Sequence, residues 1–230
     1  MVRPVAPPSP LLNPCKDQAG AWPDESPRRL LAVAAGLLHI HTHFGVHGSL
    51  RPVNCLVKED GTTCVGDYGF GKIKELTGGG ARISNTPGLY SYTAPEMLRS
   101  VRPLLSPSSL PSPGEALQHA VDCYLPRLGP GAALTFCAGP CVQEGPTPAC
   151  DVYSFGVLLL ELATLTRPLY DLDQMAIMGQ LGFGGRKLLD EIPEDCDEGC
   201  AAVIRQCLCI EPGERLEVAA LLEQMQALRG

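Results

Sequence analysis

"HGSLRPVNCLVKEDGTTCVGDYG", His47 to Gly69, is the stretch on which the reading of this chain turns. Two short β-prone runs, Cys55–Val57 and Thr62–Val65, flank Asp60-Gly61, a dipeptide suited to a tight hairpin turn. A hairpin returns the backbone to its starting point. Asn54 before the first run and Asp67 after the second, 13 positions apart, are therefore expected to be neighbours in space. Upstream, His47 and Ser49 raise a different question, because a Ser–His pair is the core of many hydrolases. That chemistry needs a positioned base and an oxyanion hole, and no motif in the chain supplies them.

Working outward, the apolar fraction of 45% across 230 residues is enough for a packed core, in one large domain or two small ones. The formal net charge of -7 and the lack of any Lys/Arg cluster speak against a nucleic-acid binder. The longest nearly uncharged apolar run, Leu30 to Ile40, is 11 residues, too short to span a bilayer. The N-terminus has no long apolar core of the secretory kind, so a soluble, cytoplasmic protein is expected. The 11 cysteines include Cys196-x3-Cys200 and Cys207-x-Cys209, yet no paired His motif or clean CxxC accompanies them. Buried reduced thiols are the expected state.

Residues 1–26 are proline-rich and read as a tail. "PRRLLAVAAGLLHIHTHF", from Pro27, predicts a buried helix with proline in its first turn. Residues 71–93 are rich in Gly, Ser and Thr and read as a long loop, with a short helix in "YTAPEMLRS". Residues 101–148, rich in Pro, Gly and Ser without periodicity, read as a loosely packed insertion. "CDVYSFGVLLLELATLT", Cys150 to Thr166, predicts a second very apolar helix with Asp151 at a cap position. "CDEGCAAVIRQCLCI" and "LEVAALLEQMQALR" predict two amphipathic helices. The fold class is mainly α with one small β-hairpin.

Five motifs in order resemble the C-terminal lobe of a protein kinase. "HGSLRPVN" stands where kinases write H-R-D-L-K-P-x-N, and "GDYG" resembles D-F-G. "APE", Ala94 to Glu96, resembles the end of the activation segment, and "DVYSFGVLLLEL" the central helix of that lobe. "CLCIEPGERLEVAALLEQM" is similar to the C-x-x-x-D-P-x-x-R-P run before the last helix. The resemblance covers residues 27–229 apart from the insertion. In detail it looks most like tyrosine-kinase-like kinases and the kinase-homology domains of receptor guanylate cyclases.

The resemblance implies roles. Asn54 and Asp67 match the two magnesium ligands that bring the ion to ATP; the alternative is a loop Asn and a turn Asp. Ser49 occupies the place of the catalytic Asp, and a neutral hydroxyl is no general base near pH 7. Gly48 replaces the Arg that pairs with an activation-loop phosphate. Arg51 stands at the catalytic-loop Lys, near the phosphate position, or is a solvated loop residue. His47 matches a residue packed inward beneath the metal-binding loop. Glu96 and Arg215 match a buried ion pair, against the alternative of two surface charges. Asp151 matches a buried carboxylate that accepts catalytic-loop amides, a role compatible with capping.

No G-x-G-x-x-G before a strand and no V-A-x-K strand precede the first core helix, and "GFGG" at Gly182 to Gly185 reads as a turn. A five-stranded N-terminal lobe is thus missing from the chain as read. Two expectations follow: a catalytically impaired regulatory or scaffolding module, or a piece of a longer kinase or receptor cyclase. In either case a protein partner or an N-terminal lobe is expected over the apolar active-site face.

Overall fold

The computed structural model describes residues 26–58, 62–68, 90–99, 146–183 and 188–228. Helix α1 runs Ser26–His43, taking in the last residue assigned to the tail. Strands β1, Cys55–Val57, and β2, Thr63–Val65, pair antiparallel with Leu56 opposite Cys64. The Asp60-Gly61 turn and the "GG" of Gly184-Gly185 lie outside the described residues, as do most of the 71–93 loop and residues 101–145 of the insertion.

Helix α2 is Pro95–Arg99 and α3 is Pro148–Thr164. The short α4, Gln174–Ile177, continues into a π-turn over Met178–Phe183. Helices α5, Glu198–Cys207, and α6, Val218–Ala227, complete a mostly helical body with one two-stranded sheet.

Helix α3 is the axis. From Cys150 to Leu162 every residue is buried, so no face is left polar. Burying each of its Leu, Val and Phe side chains contributes about 1.5–3 kcal/mol. Helices α1, α5 and the Tyr90–Tyr92 turn pack around it, and α6 lies along α1. Gly156 permits the approach of α5: a Cβ there would sit 2.6 Å from the Cys207 Cβ and 3.0 Å from a Leu208 methyl. Leu165, at φ 52°, ends α3 in the left-handed region.

Several polar groups inside this core are paired, while the buried Ser91 Oγ and Thr63 Oγ1 have no hydrogen-bond partner among the described residues. Ser154 Oγ donates to the Tyr92 carbonyl at 2.7 Å, and the Tyr92 hydroxyl donates to Glu161 at 2.6 Å. Burial holds the Glu161 carboxyl above its ordinary range, against the lowering pull of Tyr92. These contacts explain one departure from the sequence reading. Tyr90–Tyr92, placed in a loop because of its Gly/Ser-rich surroundings, forms a buried 3₁₀ turn fastened to α3.

A second departure concerns the start of α3. The helix begins at Pro148, inside the segment assigned to the insertion, and its cap residue is Thr147. Asp151 is not a cap: it lies within the first turn, 1% exposed. Cys55, Cys150, Cys200 and Cys207 are buried free thiols, and burial pushes the Cys55 thiol up to about 12 and that of Cys150 to about 11. Among the described residues no helix is long and apolar enough to cross a membrane.

Candidate active-site loop

The loop after α1 is tied down by one buried carboxylate. Phe44 and Gly45 amides donate to the Ile40 carbonyl, closing the helix, and Gly45 takes φ 95° to turn the chain away. Beyond Val46, two successive amides point at α3. His47 N donates to Asp151 Oδ2 and Gly48 N to Asp151 Oδ1, both at 2.8 Å. Gly48 sits at φ 73°, a conformation that a side chain at this position would strain. His41, from the last turn of α1, adds a third contact, Nε2 to Asp151 Oδ2 at 2.8 Å. Sequence reasoning missed His41, whose partner is 110 positions away.

His47, 2% exposed, has both ring nitrogens committed to the backbone. Ser49 N donates to Nδ1 at 3.1 Å, so Nδ1 is an acceptor. The proton is therefore on Nε2, which donates to the Gly66 carbonyl at 2.9 Å. No lone pair remains for the Ser49 hydroxyl, and a Ser–His nucleophile is excluded by hydrogen-bond arithmetic.

Asn54 and the 66–67 segment are adjacent. Gly66 N donates to the Asn54 carbonyl at 2.8 Å, continuing the hairpin ladder by one bond. The buried Asn54 side chain donates through Nδ2 to the Ser49 carbonyl at 2.8 Å. Its Oδ1 is left to accept or to ligate. Asp67 is exposed at φ 60°, a left-handed conformation that costs a non-glycine residue about 1–2 kcal/mol and that Asp tolerates better than most. Arg51 is half-buried, and its Nε is buried with no hydrogen-bond partner among the described residues. Next to the hairpin, Phe44 and Tyr68 rings meet at 5.1 Å while both remain about half exposed.

A second polar centre lies at the other end of the first turn of α3. The Arg215 fork meets Glu96 in two parallel bonds, Nη1 to Oε1 at 2.6 Å and Nη2 to Oε2 at 2.8 Å. Its donors also reach the carbonyls of Ala149, Ile210 and Cys209 at 3.0, 3.1 and 2.8 Å. The guanidinium lies 5.0 Å from the Tyr153 ring centre, and Cys150 Sγ donates to Glu96 Oε1. Burial works to raise the Glu96 carboxyl, but the Arg215 bonds and charge outweigh it and hold the group below its ordinary value.

The structure thus places Ser49, Arg51, Asn54 and Asp67 along one loop-and-hairpin edge, with His47 and Asp151 beneath. Glu96 and Arg215 form a separate anchor. Among the described residues no group of three or more His, Cys, Asp or Glu side chains could hold a metal ion. Among the described residues, a metal at Asn54 and Asp67 would have one amide oxygen and one carboxylate.

Comparison with known proteins points one way. A family model described as "Protein tyrosine and serine/threonine kinase" matches residues 131–225. The chain is similar to the serine/threonine-protein kinase CTR1 of Arabidopsis thaliana, 28% identical over 209 residues, covering 89% of this chain and 20% of that protein. Mitogen-activated protein kinase kinase kinase 12 of Rattus norvegicus is 25% identical over 185 residues, 80% of this chain and 15% of that one. A probable LRR receptor-like serine/threonine-protein kinase of Arabidopsis is 32% identical over 133 residues, 57% of this chain and 16% of its own. The chain therefore spans about a fifth or less of the length of these relatives.

Proposed function

Since this chain belongs to the protein kinase-like superfamily, we propose that it is the C-terminal-lobe part of a kinase domain whose phosphoryl-transfer chemistry is impaired, serving as a regulatory or scaffolding module. One observation carries the reading. At the position where the family places its proton-accepting carboxylate the chain has Ser49, and the nearest base, His47, has spent both nitrogens on the backbone. Nothing in that loop can take a proton from a substrate hydroxyl near pH 7. Catalysis of phosphoryl transfer rests on positioning and electrostatics, so this loss is not made good elsewhere in the loop.

Nucleotide binding is a separate matter. Magnesium is commonly held by one or two protein oxygens together with substrate phosphates and waters, and Asn54 Oδ1 with the exposed Asp67 carboxylate fits that sparse donor set. The orphaned Nε of Arg51 fits an anion on the same edge. We assign Asn54 and Asp67 as the residues that would hold magnesium, which when bound would neutralise phosphate charge. Arg51 would contribute a fixed positive charge beside it.

The names of the relatives lead us to favour a serine/threonine kinase ancestry over a receptor cyclase. A second reading, a piece of a longer kinase or of a receptor cyclase's kinase-homology region, is favoured by the exposed apolar side chains of Val53, Leu56 and Val57 on the hairpin edge. An N-terminal lobe or a protein partner would cover them.

A phosphotransfer assay with Mg-ATP and Mn-ATP tests the main reading. No turnover is expected from the wild-type chain. Turnover that Ser49→Asp fails to raise would sink it. A thermal-shift titration with ATP, with and without magnesium, tests binding: saturation at one hundred times Kd stabilises by about 2.7 kcal/mol, and no shift at millimolar nucleotide excludes the assignment of Asn54 and Asp67.

A further inference from the structure

The last two turns of α1 carry His39, His41 and His43. His41 is spent on Asp151, but the other two face outward, four positions apart and both exposed. Residues at that spacing share one helix face. Their rings lie with centroids 4.3 Å apart, tilted by 33°. His43 Nδ1 is 2.9 Å from the His39 carbonyl. A carbonyl can only accept, so Nδ1 carries the proton and the lone pair of the neutral ring is on Nε2. An imidazole that donates one N–H to a backbone carbonyl has the orientation and tautomer of a metal-bound histidine. The ring nitrogens of His39 take no hydrogen bond among the described residues, so nothing there competes for them. The pair also sits at the C-terminal end of an 18-residue helix, where the backbone dipole favours a cation.

We infer that His39 and His43 form a two-imidazole chelate for a divalent transition metal of the zinc, nickel or copper class. Imidazole suits these ions and not magnesium, so the site is chemically distinct from the Asn54 and Asp67 edge. Two protein ligands leave the remaining coordination positions to water or to a donor from another molecule. Phe44 bounds the pair, with ring centres 5.8 Å from His39 and 6.2 Å from His43, and itself stacks on Tyr68. A bound ion would therefore staple the last turn of α1 immediately before the loop that Asp151 holds.

The test uses the full chain without a polyhistidine tag. Zinc and nickel are titrated calorimetrically into the wild type, His39→Gln and His43→Gln. Each variant is expected to bind at least about tenfold more weakly, as loss of half a chelate requires. Both positions are exposed, so neither variant should lose stability. Long-range proton–nitrogen spectra of the imidazoles give the second readout. One equivalent of zinc should shift the ring nitrogens of both His39 and His43 and leave those of His47 in place. Wild-type affinity in both variants, as cysteine-bound metal would give, overturns the assignment. So does saturation with either ring unshifted.

Discussion

Arg215→Met is the sharpest test of how this fold is held together. The substitution keeps the apolar stem and removes the fork. Five hydrogen bonds go with it, two to Glu96 and one each to the carbonyls of Ala149, Ile210 and Cys209, as does the contact with the Tyr153 ring. The Arg215 side chain is fully buried, whereas that of Glu96 is 24% exposed. Removing one member of a buried pair costs about 3–5 kcal/mol, chiefly because the other charge is stranded. Solvent reaches one edge of Glu96, so the loss should fall at the lower end, near 3 kcal/mol. For a chain of this size that is a fall in Tm of about 6–12 °C. Urea unfolding at pH 7 and calorimetry measure it. Glu96→Gln and the double variant complete a cycle, in which the two losses should add to more than the loss in the double variant. A loss below about 1 kcal/mol for Arg215→Met, or strictly additive losses, would refute the claim that this pair anchors α2 to the corner at residues 209–215.

Other outcomes follow from the same contacts. The Glu96 carboxyl is held below its ordinary 4.5 when folded, so the stability it supplies is complete above about pH 4.5 and drains away as pH falls through the folded value. Urea midpoints measured from pH 7 down to 3 should show this slope, and Glu96→Gln should flatten it. Asp151→Asn removes the charge from three contacts and should cost about 2–3 kcal/mol, with faster hydrogen exchange at the His47 and Gly48 amides as its local signature. Gly156→Ala forces a methyl onto Cys207 and Leu208 and should cost about 1–3 kcal/mol in a thermal melt; no change would show that α3 and α5 separate easily.

The parts of this molecule legible in its sequence are those with local causes. The strongly apolar run after Asp151, broken only by Ser154 and Glu161, announced a buried helix. The β-prone runs around Asp60-Gly61 gave a hairpin, whose last bond, Gly66 to Asn54, brings the Asp67 segment beside Asn54. Contacts between distant segments left no such trace in local pattern; the Asp151 carboxylate beneath the loop and the Glu96–Arg215 pair are expected only through the resemblance. Asp151 looked like a cap because one turn of helix cannot be resolved from composition, and only the fold brings His47 and Gly48 to it across more than one hundred positions. Tyr92 looked like loop because its anchor, Glu161, is 69 positions on. The Arg215 carbonyl contacts were equally invisible, because backbone acceptors carry no residue identity.

The first turn of α3 also sets how the chain can vary. Arg99, at the end of α2, is fixed by its Nε bond to the Gly182 carbonyl at 2.7 Å. Cys150, at the start of α3, lies against Glu96 at 3.2 Å. The two points between which residues 100–146 run are thus pinned side by side by bonds that do not depend on what joins them. Closing a longer connection between fixed ends costs only about 0.6 kcal/mol per doubling of its length. The junction is a socket: cassettes of very different size could be spliced there, a whole folded domain among them, and the kinase-like body around α3 would hardly register the change.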